Sequence, residues 1–204
     1  DSSDEIFAEC KHIFDEEEVY VFVVDDESVG LAMAKAMVQA GLNEVGLRAI
    51  HVEAFRNANE SAARAQEIVS KNPSTCMLLF TDLRMEERGD MNGDDLARLF
   101  VELYGSKLVT VLVSAAINTA SGYSTTILKE ARVLQIKVPA VVPVHFETED
   151  DMTQLFDITA SKPLTKEAVS VSLAVFAQQI HQCRNQAAAG TAGIPAEEHP
   201  RPTS

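Results

Sequence analysis

Four stretches of this chain set reactive side chains at or near the ends of apolar runs. "VYVFVVDDES" (19–28) carries Tyr20 to Val24 into two carboxylates, Asp25 and Asp26, and "CMLLFTD" (76–82) ends in Asp82. "KLVTVLVSAA" (107–116) holds Ser114 near its end, and "QLFDITASKP" (154–163) delivers Lys162. Two adjacent ionised groups against a buried run are costly unless something compensates them. Clustered carboxylates raise one another's pKa unless a cation sits among them, and a hard, oxygen-seeking Mg²⁺ suits such a set. One carboxylate can then attack a phosphoryl donor. The Lys162 ammonium and the Ser114 hydroxyl are the right donor types to offset the new charge.

These groups meet only if the right elements position them. The apolar run Tyr20–Val24 reads as a strand buried on both faces, followed by a helical period in "ESVGLAMAKAMVQAG", with Val29, Met33, Met37 and Ala40 as its core face. Ser28 can cap its start and Gly41 its end. "LRAIHVEAF" (47–55) fits a second strand, and "NANESAARAQEIVSKNP" a helix with Asn57 and Glu60 at capping-box spacing. A strand (76–82), a helix "GDDLARLFVELYG", a strand ending near Ser114 and a helix around "STTILKEARVL" follow. A fifth strand in 154–163 and a long helix, "LTKEAVSVSLAVFAQQIHQCRNQ", complete the order. The alternation predicts a parallel α/β sheet with helices on both faces. In such sheets the carboxyl ends of the strands share one edge, where ligands bind. Asp25, Asp26, Asp82, Ser114 and Lys162 all fall at those ends.

Composition bounds the alternatives. A chain of 204 residues with 46% apolar content can build one globular domain. A net charge of −14 opposes binding to nucleic acid or an anionic membrane through the global field. No apolar run approaches the roughly 20 residues of a membrane span. Cys10, Cys76 and Cys183 lack CxxC spacing, which points away from zinc and disulfides and toward a cytoplasmic setting. The five histidines show no ligand spacing. The sequence does not open with Met, so a domain cut from a longer protein is expected. The expected organisation is an acidic N-terminal arm (1–18), a domain over 19–186 with an insertion around 133–154, and a low-complexity, disordered tail over 187–204.

With these motifs in order, "VVDDE" (23–27), "LLFTDLRM" (78–85), "MNG" (91–93), "VLVSA" (111–115) and "SKP" (161–163), the chain resembles the receiver domains of two-component response regulators and hybrid histidine kinases. The resemblance implies a flavodoxin-like (βα)5 fold, strand order 2-1-3-4-5, and a phosphorelay role. It makes Asp82 the phosphoacceptor, and Asp25, Asp26, Asp82 and the backbone carbonyl of Arg84 the Mg²⁺ ligands. Ser114 and Lys162 would attend the phosphoryl group, and Pro163 would follow a cis peptide bond. The implied partners are a histidine kinase or histidine phosphotransfer protein and a downstream protein. Catalysis would be limited to self-phosphorylation and autodephosphorylation.

Three features depart from the family pattern. Thr159 stands where an aromatic switch residue is usual. The loop "LRMEERGDMNG" is longer than usual, and Ser114 and Lys162 lie 48 positions apart, about twice the usual separation. The alternative reading is therefore a degenerate receiver that binds partners without phosphate. A phosphatase is disfavoured, because such enzymes place a second acid where Arg84 stands.

Overall fold

The computed structural model describes residues 12, 14–47, 50–83, 85, 91–114 and 156–192. Five strands, β1 (Val19–Val24), β2 (His51–Phe55), β3 (Cys76–Thr81), β4 (Leu108–Ser114) and β5 (Ile158–Ser161), form one sheet in the order β2-β1-β3-β4-β5. Every pairing is parallel. Among the described residues, the helices α1 (Ser28–Glu44), α2 (Ala58–Lys71), α3 (Gly93–Tyr104) and α4 (Lys166–Ala192) accompany them. This strand order is that of the flavodoxin-like doubly wound fold. The expected helix around "STTILKEARVL" and the 133–154 insertion lie outside the described residues.

Alternate side chains of the central strands feed two cores. Val21, Val23, Leu78, Phe80, Val111 and Ile158 pack with α1 and α4 on one face. Phe22, Val24, Met77 and Leu79 pack with α2 and α3 on the other. All six residues of β3 are buried, as a central parallel strand requires. Five phenylalanines, Phe22, Phe80, Phe100, Phe156 and Phe176, are fully buried, each contributing about 1.5–3 kcal/mol through removal from water. Phe14, ahead of β1, joins the core shared with α1 and α4 and packs against Phe176, with ring centres 6.0 Å apart.

Local signals hold for α2, where the Asn57 side chain accepts the Glu60 amide at 3.1 Å. They fail for α1 in three ways. Glu27, not Ser28, is its N-cap residue and no side chain caps it. Val29 and Met33 are exposed (63% and 54%), while Leu31, Val38, Gly41 and Leu42 form the buried face. The expected core stripe was thus rotated, because the apolar content of this helix is spread around its circumference and its period does not choose a face. Finally, α1 runs past Gly41 to Glu44, and the left-handed residue that follows is Gly46 (φ 78°). At its own end α4 continues to Ala192, beyond the boundary at 186 expected from sequence. Among the described residues, no helix is long and apolar enough to cross a membrane.

Gly41 is a packing site. A Cβ there would lie 2.5 Å from Cγ1 of Val169, on α4. Gly41→Ala is expected to destabilise the fold by about 1–3 kcal/mol in chemical denaturation, despite alanine's better helix propensity. Adding Val169→Ala should recover part of that loss; an additive double variant would contradict the contact.

Candidate functional site

The sheet ladder carries past the strand ends and brings the acidic residues together. The Asp25 amide donates to the Phe55 carbonyl at 3.1 Å, and the Asp82 amide to the Val24 carbonyl at 3.0 Å. On the other side the Lys162 amide donates to the Ser114 carbonyl at 3.2 Å. All five strand ends are therefore tied by backbone bonds, β2, β1 and β3 in one group and β4 with β5 in another. The Lys162–Pro163 peptide bond is cis, as the resemblance implied.

On this frame Asp25, Asp26 and Asp82 each offer a carboxylate oxygen within 4.8 Å of the others. Lys162 Nζ pairs with Asp25 Oδ2 at 2.9 Å and with Asp82 Oδ2 at 3.0 Å. Asp25 Oδ1 accepts the Glu27 amide at 3.0 Å, and Asp82 Oδ1 accepts the Leu83 amide at 2.8 Å. Burial pushes the Asp82 carboxyl above its ordinary pKa and the Asp25 charge adds to this, while Lys162 and the Leu83 amide oppose it. Burial depresses the Lys162 ammonium, but its bonds to Asp25 and Asp82 outweigh that and hold its pKa above the ordinary lysine value. Three convergent carboxylates are the donor set a hard divalent cation takes, so the residues present fit Mg²⁺.

The sequence-selected residues Asp25, Asp26, Asp82 and Lys162 thus come together. Ser114, buried at the end of β4, adjoins them through its carbonyl. Arg84 lies outside the described residues. Thr159 is buried in β5, paired with Leu112.

Sequence reading missed the bridging of two carboxylates by Lys162, having reserved the cationic role among them for a metal. It also missed Arg56, directly after β2, whose Nε and Nη2 donate to the Asp26 carbonyl at 3.3 and 3.2 Å. Its signal was an arginine directly after the strand that pairs with the one ending in Asp25-Asp26. Beside the cluster lies a cavity of about 230 Å³ between α1 and the segment after β5, lined in part by Asp25, Gly30, Met33, Lys162 and Leu164.

The glycine of "MNG" has a steric reason. A Cβ at Gly93 would fall 2.0 Å from the Asp82 carbonyl oxygen, and the Gly93 amide donates to the Leu83 carbonyl at 2.8 Å. The start of α3 therefore rests directly on the backbone that carries Asp82.

No family model and no curated protein matches the chain. Among solved structures, a mutant of the receiver domain of the histidine kinase CKI1 from Arabidopsis thaliana aligns with a TM-score of 0.41 and 16% identity, covering 82% of this chain and 89% of that one. A fusion carrying a trimeric coiled-coil segment of yeast Spc42 aligns with a TM-score of 0.47 and 13% identity, covering 86% and 91%. The fold class stands on the strand order itself.

Two outcomes follow from this geometry. Because backbone cannot yield as a side-chain tip can, Gly93→Ala is expected to lower stability by about 1–3 kcal/mol in urea titration; an unchanged midpoint would refute the close approach. The second concerns pH. A carboxyl with a raised folded pKa holds its proton more tightly when folded, so its ionisation costs stability as pH rises through the carboxylate range. Asp82→Asn removes that cost and leaves Lys162 paired with Asp25. The variant should melt a few degrees above wild type at about pH 7 without divalent cation, a difference that shrinks on acidification toward the ordinary aspartate pKa of 3.8. A variant melting below wild type at neutral pH would reverse the sign.

Proposed function

We propose that this chain is a phosphorelay receiver that takes a phosphoryl group from a phosphohistidine onto Asp82. The observation that carries the reading is the convergence of Asp25, Asp26 and Asp82 at one sheet edge, with Lys162 in contact with the acceptor. The donor would be a histidine kinase or a histidine phosphotransfer protein. An Asp82 carboxylate oxygen attacks phosphorus, the P–O bond forms as the P–N bond breaks, and the imidazole departs with the bond's electron pair.

This chain's residues do the positioning. The Leu83 amide bonded to Oδ1 and Lys162 bonded to Oδ2 orient the Asp82 carboxylate. Lys162 can follow the charge as it moves from carboxylate to phosphoryl oxygens. Asp25, Asp26, Asp82 and the Arg84 carbonyl would hold Mg²⁺, which when bound supplies positive charge to the phosphoryl oxygens. Ser114 would donate its hydroxyl to the phosphoryl group, and the change of charge would alter a partner-binding surface. With Thr159 buried in β5, any such change proceeds without an aromatic at that position.

Intact mass after incubation with a small-molecule phosphodonor tests the reading. Wild type is expected to gain one labile phosphoryl group with Mg²⁺ and none with chelator, and Asp82→Asn to gain none. Folded wild type that stays unmodified even with a histidine kinase as donor would leave a phosphate-independent interaction domain as the better account.

A further inference from the structure

We infer that Gly30 is a positioning residue for Asp25, holding its carboxylate in place by having no side chain of its own. Gly30 lies in the first turn of α1, within the residues that line the cavity beside the cluster. Its backbone does not call for glycine, because the positive-φ glycines among the described residues are Gly46 and Gly105. In a helix, alanine is the favoured residue and glycine the weak one. A reason must therefore come from the surroundings.

The surroundings are the Asp25 carboxylate. A Cβ at Gly30 would lie 2.9 Å from Oδ2, 3.5 Å from Cγ and 3.8 Å from Oδ1. That oxygen, Oδ2, is the one paired with Lys162 at 2.9 Å, and Oδ1 is tied to the Glu27 amide at 3.0 Å. Asp25 is only 4% exposed, so the carboxylate cannot swing out to water without leaving Lys162 and the Glu27 amide. A methyl group at Gly30 would push it off Lys162, off Glu27, or both. The atom that must yield is the tip of a side chain rather than backbone. The cost therefore falls on the site and not on the fold, the reverse of Gly93. Sequence shows only a glycine in a helix; the contact gives it a role.

The inference rests on the reading that Asp25 helps to hold Mg²⁺ and adds a residue outside the ligand set that controls it. Residues that orient metal ligands change affinity about 10–100-fold when altered. The test is Mg²⁺ affinity by isothermal titration calorimetry, with melting temperature in chelator alongside. Wild type, Gly30→Ala, Val29→Ala, Asp25→Asn and the Gly30→Ala/Asp25→Asn double variant are compared. Gly30→Ala is expected to weaken Mg²⁺ binding by about tenfold or more while still melting cooperatively in chelator. Val29→Ala, exposed on the same turn, should bind as wild type does. With Asp25→Asn already present, Gly30→Ala should weaken binding no further, because the two act through one carboxylate.

Equal affinity of Gly30→Ala and wild type would overturn the inference and leave the receiver reading standing. A loss that persists in the Asp25→Asn background would overturn it too, by placing the effect elsewhere. A Gly30→Ala protein that fails to fold would refute the claim that only a side chain is displaced. Wild type that binds no Mg²⁺ would remove the receiver reading first and this inference with it.

Discussion

One ammonium set between two carboxylates is the constraint around which this sheet edge is built. Lys162 reaches Asp25 and Asp82 from the far side of β4, so three of the five strands must end at one level for the contact to form. Removing those charges from water is expensive, and only close, simultaneous pairing offsets it. The backbone bonds that extend the ladder beyond β1 and β3 make that pairing possible, because they hold the two aspartates side by side within reach of the lysine. The strands' residues serve the same end. β3 is buried throughout and takes its place at the centre, carrying the proposed acceptor to the middle of the edge.

The same economy of space appears at the glycines around the site. Gly93 lets α3 rest on the Asp82 backbone, Gly41 lets α1 lie against α4, and Gly30 leaves room for the Asp25 carboxylate. Each marks a close approach between elements that a side chain would hold apart. Arg56 adds a fourth fixture by gripping the Asp26 carbonyl from the edge strand. In a chain of net charge −14, such local cations matter more than the global field.

Apolar runs ending in aspartate, separated by helical segments, are strong local signals, and they sufficed for the order of the described elements and the parallel sheet. They also placed Asp25, Asp26, Asp82, Ser114 and Lys162 at one edge, since parallel strands put their carboxyl ends there whatever the details of packing. Where the local signal was diffuse, the reading slipped. In α1 the apolar residues ring the helix, so periodicity could not say that Leu31 and Val38 face inward while Val29 and Met33 face out. The end of α1 slipped for a related reason: Gly41 looks like a cap in sequence and is a contact with Val169 in space.

Sequence by itself therefore determined the order of the described strands and helices, the edge on which the acidic residues gather and the residue types found there. Those follow from hydrophobic runs, turn residues and the chirality of parallel connections, all encoded locally. Tertiary structure alone decided which partner each charge takes: Lys162 between Asp25 and Asp82, Arg56 on the Asp26 backbone, Gly30 behind the Asp25 carboxylate. The reason is range. Such contacts join residues distant in the chain or set by a helix's rotation, and angstrom-scale separations appear only when the whole sheet has closed.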